Sequence, residues 1–119
     1  MKKILQLEQL AQLAVCIVLI YSLPLNLSWW AYLVLFFSPD LSIAAYAVNA
    51  RIGALVYNFA HFKMVAGILI ISGHLLSENH LLLAGLLMWG HSSFDRMLGY
   101  GLKYDNSFRH THLGLIGKK

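Results

Sequence analysis

Four residues of types that bind metal ions, Glu8, Asp40, His61 and Asp95, come from four different apolar stretches of this chain. His91 precedes Asp95 by four residues, so both side chains would share one face of a helix. Ionisable residues inside apolar helices are costly and often mark functional sites in membrane proteins. Carboxylates and imidazoles that project from facing helices hold iron, manganese or zinc in helical bundles.

The spacing of these residues predicts that a helical hairpin would bring them to one depth. Asp40 and His61 are equally far from the polar turn around Ala50, and His61 and Asp95 are equally far from the turn around Glu78. In antiparallel helices with a constant rise per residue, residues equidistant from a turn lie at the same level. A layer of this kind favours a built site over unrelated ionisable positions.

The sequence therefore suggests a divalent metal site, with zinc, manganese and iron all open because the ligands are mixed nitrogen and oxygen. The predicted ligands are Asp40, His61, His91 and Asp95. Glu8 is a further ligand or a general base, and Asn58 and Gln12 would orient the ligands through hydrogen bonds. Arg96 and Lys103 would hold an anionic head group. His112, in the basic tail, is a surface histidine or folds back to the site.

An ordinary polar network explains the same residues without a metal. Asp95 would then pair with Arg96 or a tail histidine, Glu8 with Lys2 or Lys3, and Asp40 with a backbone amide. Under the first interpretation the protein is a membrane metal enzyme that hydrolyses an ester or phosphoryl group of a lipid-like substrate. Under the second it is a non-catalytic membrane protein, such as a proton or ion relay, a transporter subunit or a partner-binding scaffold.

Composition places these residues in a membrane. Of 119 residues, 59% are hydrophobic and 12% charged, and the mean hydropathy is +0.65, whereas soluble domains are nearer a quarter charged. We predict one membrane-embedded domain over 1–119, an all-α antiparallel four-helix transmembrane bundle. Its helices would cover about 4–23, 27–49, 52–76 and 80–99, with a tail over 100–119. Pro39 would kink the second helix and free a backbone carbonyl.

Basic residues set the predicted orientation. Lysine and arginine collect at the N-terminus, at Arg51 and after the fourth helix, which predicts that both termini are cytoplasmic. Lys63 is the exception and would have to reach out to the interface. The net charge of +4 follows this topology, so nucleic acid is not an expected partner. The lipid bilayer is an expected partner. A homodimer is suggested by glycines that would permit close packing, Gly67 with Gly73 or Gly85 with Gly90.

Five short stretches resemble a bacterial family of small membrane proteins, the domain-of-unknown-function family 4260. They are Pro39-Asp40-Leu41-Ser42, Tyr57-Asn58-Phe59-Ala60-His61, His91-Ser92-Ser93-Phe94-Asp95-Arg96, Gly99-Tyr100-Gly101-Leu102-Lys103-Tyr104 and Thr111-His112-Leu113-Gly114. The resemblance covers nearly the whole chain and implies a multi-pass protein of the bacterial inner membrane without an established activity. It adds Tyr100 to the candidate site. A looser similarity, to small membrane-bound metal-dependent hydrolases with Pro-Asp and His-x-x-x-Asp elements, suggests hydrolysis by analogy.

Overall fold

The computed structural model describes residues 1–99, 110–111 and 113–115, and this part of the chain is helical apart from one short strand pair. The helices are α1 (Lys2–Ser22), α2 (Trp29–Phe37), a 3₁₀ helix (Ser38–Ala47), α3 (Ala50–His61), α4 (Lys63–Leu75) and α5 (Asn79–Met97). Strand β1 (His110–Thr111) pairs antiparallel with β2 (Gly114–Leu115). The prediction of a helical fold is confirmed, whereas the single-domain assignment of the whole chain stays a prediction.

Two segments are long and apolar enough to cross a membrane, α1 over Lys3–Ser22 and the continuous helical segment Trp29–Ala47. Helices α3 and α4, which meet at a bend of 42°, would add a third span if they cross together. Among the described residues, length and composition thus support two or three spans. The four-helix transmembrane bundle and the cytoplasmic termini stay predictions.

Helix α5 is the centre of the fold, packing against α1 on one side and α4 on the other. Its buried positions include Leu83, Leu86 and Leu87. Helices α1 and α2 both lie against α5 but scarcely contact one another. The fold therefore leaves a cleft between α1 and α2, with α5 at its back.

The second predicted helix changes type at Pro39, where the sequence predicted a kink. Because proline has no N–H, it cannot donate to the carbonyl of Leu35 four residues earlier. The Ser38 hydroxyl donates to that carbonyl instead, at 2.7 Å, and the chain continues as a 3₁₀ helix rather than an α-helix. This stretch carries Asp40 in its first turn.

The third predicted helix, 52–76, is instead two helices separated by Phe62, whose backbone is extended (φ −92°, ψ 118°). The Phe62 carbonyl accepts the N–H groups of Val65 and Ala66. The His61 carbonyl accepts from two side chains of α5, the Ser92 hydroxyl at 2.8 Å and Arg96 Nη2 at 3.3 Å. These side-chain donors substitute for the helical bond that the break removes, which is why a sequence without Pro or Gly at this point leaves the α-helical conformation.

The glycines that suggested a homodimer lie against other parts of the same chain. A Cβ added at Gly85 would lie 2.7 Å from Ile70 Cγ1, and one added at Gly73 would lie 2.6 Å from the Leu82 amide nitrogen. Gly90 faces α1 and α2, and Gly67 faces a side chain of α5. Their close packing therefore has an intramolecular explanation, and a homodimer stays a prediction without this support.

Candidate metal centre

Three elements bring the four predicted ligands together. Asp40 lies in the 3₁₀ helix, His61 is the last residue of α3, and His91 and Asp95 stand one turn apart on α5. One ligand atom from each residue lies within 4.8 Å of the other three. Of the residues that the equal-depth argument brought to one level, Asp40, His61 and Asp95 lie together, with His91 beside them, whereas Glu8 is not part of this cluster.

The four ligand atoms form a closed ring in which nitrogen and oxygen alternate, hereafter the His–Asp ring. His91 Nε2 lies 3.0 Å from Asp40 Oδ1 and 3.3 Å from Asp95 Oδ2. His61 Nε2 lies 3.4 Å from Asp40 Oδ1 and 3.3 Å from Asp95 Oδ2. A point equidistant from four atoms so spaced is about 2.0 Å from each in a tetrahedral arrangement and about 2.3 Å in a planar one, and the tetrahedral value matches zinc–nitrogen and zinc–oxygen bonds of about 2.0–2.2 Å. The ring has the dimensions of a coordination shell.

The orientation of His61 shows why the ring calls for a positive charge at its centre. His61 Nδ1 lies 2.9 Å from the Tyr57 backbone oxygen. Since a carbonyl can only accept, Nδ1 must carry a proton, and Nε2 of the neutral ring then presents a lone pair. That lone pair faces two carboxylate oxygens, which are also acceptors. The arrangement is favourable only if a metal ion or a second imidazole proton lies between them.

His91 is the most deeply buried member of the ring, with an exposed fraction of 0%. The rings of Phe36 and Phe37 meet it edge-on, at centroid distances of 5.5 and 6.0 Å. Its Nδ1 is buried and has no hydrogen-bond partner among the described residues. Apolar surroundings of this kind strengthen any electrostatic interaction that Nε2 makes with a cation.

Among the described residues of the ring, Asp40 is the most exposed one. The side chain of Asp40 is 43% exposed, whereas those of Asp95 and His61 are 13% and 3% exposed. Water or a substrate would therefore reach the ring from the Asp40 side. Four protein ligands fill a tetrahedral zinc shell, as in structural sites, so a catalytic water would have to enter as a fifth ligand on this side.

Tyr57 is a site residue that the sequence argument did not assign a role. Its hydroxyl donates to Asp95 Oδ2 at 3.4 Å, and its ring stacks on His61 with centroids 3.8 Å apart and planes 12° apart. Its carbonyl fixes the His61 ring, as described above. The available signal was its position four residues before His61, one helical turn away on the same face.

Gln12 lies in a different polar cluster from the one predicted. Its side-chain oxygen accepts from Lys63 Nζ, from Trp89 Nε1 at 3.0 Å and from the Ser93 hydroxyl at 3.4 Å. Lys63 also donates to Gln9 and lies 5.5 Å from the centroid of the Trp89 ring. Lys63, expected to reach out to the interface, is instead half-buried among these side chains.

The remaining predicted residues are spread around the ring or fall elsewhere. Arg96 donates to the His61 carbonyl and so supports the break that presents His61. Asn58 is half-buried on α3, and Glu8 is exposed on α1 and is not a member of the ring. The catalytic role of Glu8 stays a prediction. Tyr100, Lys103 and His112 lie outside the described residues.

A protein-family model described as a domain of unknown function, DUF4260, matches residues 2–116, and the chain belongs to this family. The resemblance drawn from the sequence motifs is thereby confirmed. No curated protein and no solved structure matches the chain.

Proposed function

We propose that this protein binds one divalent metal ion in the His–Asp ring and uses it to hydrolyse an ester or phosphoryl bond of a lipid-like substrate at a membrane surface. The observation that carries the proposal is the closed ring of four contacts between 3.0 and 3.4 Å. Two imidazole nitrogens and two carboxylate oxygens suit zinc, manganese or iron(II). Cys16, the single cysteine of the chain, is buried in α1 and takes no part.

The chemistry follows from the open side of the ring. A bound divalent ion lowers the pKa of a coordinated water and polarises the bond that the water attacks. The water would enter beside Asp40, the most exposed ligand, and pass one proton to the Asp40 oxygen outside the ring as its own oxygen bonds to the carbonyl carbon or phosphorus. The bond from that atom to the alcohol oxygen of the substrate would then break, and the alcohol would leave with this proton. Arg96, and Lys103 in the tail, are proposed to hold the anionic head group of the substrate.

A membrane location is supported by the surfaces of the two segments that are long enough to span a bilayer. Large apolar side chains stand out from both of them, including Val18 at 66% and Val34 at 63% exposed. Apolar surface on this scale is covered in a membrane. We place the protein in the inner membrane of a bacterium as a multi-pass protein, with both termini in the cytoplasm.

Metal content is the direct test. Full-length protein is purified in mild detergent without chelator, and metals are measured by elemental mass spectrometry beside a His61→Ala, Asp95→Ala double variant. The matched control is Glu78→Ala, His80→Ala, which removes an exposed histidine–carboxylate pair of similar separation, 3.2 Å. We expect near-stoichiometric metal in the wild type and the control and none in the double variant of the ring. Equal metal in all three folded proteins would refute the ring as the binding site.

Hydrolysis is tested separately on the metal-loaded protein. Phospholipid vesicles are incubated with wild type, the ring variant and the control variant, and released fatty acid and released head group are both measured. Activity in the wild type and control that is lost with the ring supports the proposed enzyme. Equal release by all three proteins would show that the ring does not catalyse it.

A proton relay is the second candidate, and the same contacts favour it, because an imidazolium between two carboxylates also satisfies the ring. In that case His61 would carry protons on both nitrogens and no metal would be needed. A folded wild-type sample that has never met a chelator and contains no metal would support the relay and exclude the metal enzyme.

A further inference from the structure

The cleft between α1 and α2 forms an apolar cavity of about 630 Å³. Leu13 and Ile17 of α1 line one wall, Leu33 of α2 lines the other, and Leu87 of α5 lies at the back. A volume of this size is typical of small-molecule sites, which run from about 300 to 1,000 Å³. Most of the lining is aliphatic or aromatic, so water inside it would gain few hydrogen bonds.

One end of this cavity adjoins the His–Asp ring. Phe36, Phe37 and Phe94 line the cavity, and Phe36 lies 5.8 Å from Phe94 between ring centroids. The same Phe36 and Phe37 rings contact His91 edge-on. A single layer of aromatic side chains therefore separates the cavity from the ligands of the ring.

The opposite end of the cavity lies at the turn between α1 and α2. Tyr21, Asn26 and Tyr32 supply the polar groups there, and the Tyr32 hydroxyl donates to the Leu25 carbonyl at 3.3 Å. From Leu13 to Tyr21 the wall formed by α1 is about 12 Å long at a rise of about 1.5 Å per residue. The cavity is thus an elongated apolar channel that runs from the ring toward the far turn.

We propose that this cavity holds one hydrocarbon chain of a membrane lipid, with the polar end of that lipid at the Phe37 end of the cavity, from which it would reach the His–Asp ring on its exposed Asp40 side. Both side walls belong to segments with the length and composition of membrane spans, so the cleft would open into the bilayer, where acyl chains are the surrounding solvent. The aromatic layer against His91 sets one end of the chain beside the ring. The inference deepens the proposed function, because it names a lipid with a hydrocarbon chain as the substrate. Binding of the chain is independent of the proposed function, whereas a reaction at the polar end of the lipid rests on it.

The test is photolabelling of the full-length protein in phosphatidylcholine vesicles. The vesicles contain a small fraction of phosphatidylcholine with a diazirine in the middle of one acyl chain, and labelled residues are mapped by mass spectrometry after irradiation. Ile17 and Val18 are the matched pair, since they are neighbours on α1 and are 55% and 66% exposed, but only Ile17 lines the cavity. We expect more label at Ile17 than at Val18, because a chain held in the cleft stays beside Ile17 whereas the lipid beside Val18 exchanges freely.

Two variants test the same proposal by changing the cavity instead of the lipid. Ile17→Trp occupies part of the cavity and should lower the labelling of Leu13 and Leu33, whereas Val18→Trp on the outer surface should leave that labelling unchanged. Equal labelling of Ile17 and Val18 in the wild type would indicate ordinary surrounding lipid and overturn the proposal. Weaker labelling of Ile17 than of Val18 would indicate that another protein segment fills the cleft, which would overturn it as well.

Metal content measured on the same samples separates this proposal from the preceding one. Metal-free wild-type protein with label concentrated in the cavity would refute the metal site and support the lipid chain. Metal-loaded protein with evenly spread label would do the reverse. Because the comparison of Ile17 with Val18 is made in the unsubstituted protein, it does not depend on whether either variant folds.

Discussion

Replacing Ser92 with alanine tests whether the break at Phe62 positions His61 for the ring. The Ser92 hydroxyl donates to the His61 carbonyl at 2.8 Å, and the side chain is 1% exposed, so water cannot take its place. Arg96 Nη2 remains as a second donor at 3.3 Å. Loss of a buried hydrogen bond whose acceptor keeps one partner should cost about 1 kcal/mol in the free energy of unfolding.

The lost hydrogen bond should also lower the apparent affinity for a metal ion. Under the proposed function, a metal ion would bind only the arrangement in which His61 Nε2 faces both carboxylates, and that arrangement depends on the break. If the whole of about 1 kcal/mol acts on this arrangement, the apparent metal affinity falls about fivefold.

Ser93→Ala is the matched control. Ser93 is the next residue, is 0% exposed, and makes a longer contact, 3.4 Å, to Gln12 Oε1. That oxygen keeps its other donors, Lys63 and Trp89, so we expect a loss below about 0.5 kcal/mol. Metal affinity would be measured by competition with a chromogenic chelator, and stability by thermal unfolding followed by circular dichroism. Equal effects of the two substitutions, or a Ser92→Ala protein with wild-type metal affinity, would refute the role given to the break.

Two further substitutions test the ring and the packing that supports it. Tyr57→Phe keeps the aromatic ring that stacks on His61 but removes the hydroxyl that donates to Asp95. It should weaken metal binding about tenfold, because loss of a ligand's hydrogen-bond partner commonly has this effect. Unchanged metal affinity in the chelator competition would contradict this expectation. Gly85→Ala places a Cβ 2.7 Å from a side-chain carbon of Ile70 and should lower the free energy of unfolding by about 1–3 kcal/mol. Gly67→Ala, whose Cβ would meet its nearest neighbour at 3.6 Å, should be nearly neutral in the same thermal unfolding measurement.

The part of the site that could be predicted from the sequence depends on helix spacing alone. Asp40, His61 and Asp95 are placed at one depth by two turns and a constant rise per residue, and His91 follows from a spacing of four. The rise per residue is larger between Asp40 and Ala47, about 2.0 Å in the 3₁₀ helix against about 1.5 Å in an α-helix, which moves Asp40 by about 3.5 Å over these seven residues. The prediction survives because side chains from neighbouring helices can span a difference of this size. The breaks in the helices change the direction of the backbone but leave the four ligands close together.

What could not be predicted depends on contacts between distant segments. The break at Phe62 is stabilised by side chains that lie 31 and 35 residues after His61. The residues next to Phe62 in sequence carry no signal, such as Pro or Gly, that would predict the break. Equal depth likewise does not fix the rotation of a helix about its axis. Gln12 has the depth predicted for it but lies in the cluster with Lys63, and Glu8 stands on an exposed face of α1.

The spacing of the ring along the chain also fixes when the ring can be completed during synthesis. His61 lies 21 residues after Asp40, and His91 lies 51 residues after it. Two of the four ligand atoms therefore belong to α5, the last helix in the part of the chain that the structure describes. A growing chain cannot hold an ion in the complete ring until α5 has been made and has packed between α1 and α4. An ion bound there would close loops that span much of the sequence and would restrict the unfolded chain. Metal binding would then follow the packing of α5, and it would distinguish chains in which α5 has packed against α1 and α4 from chains in which it has not.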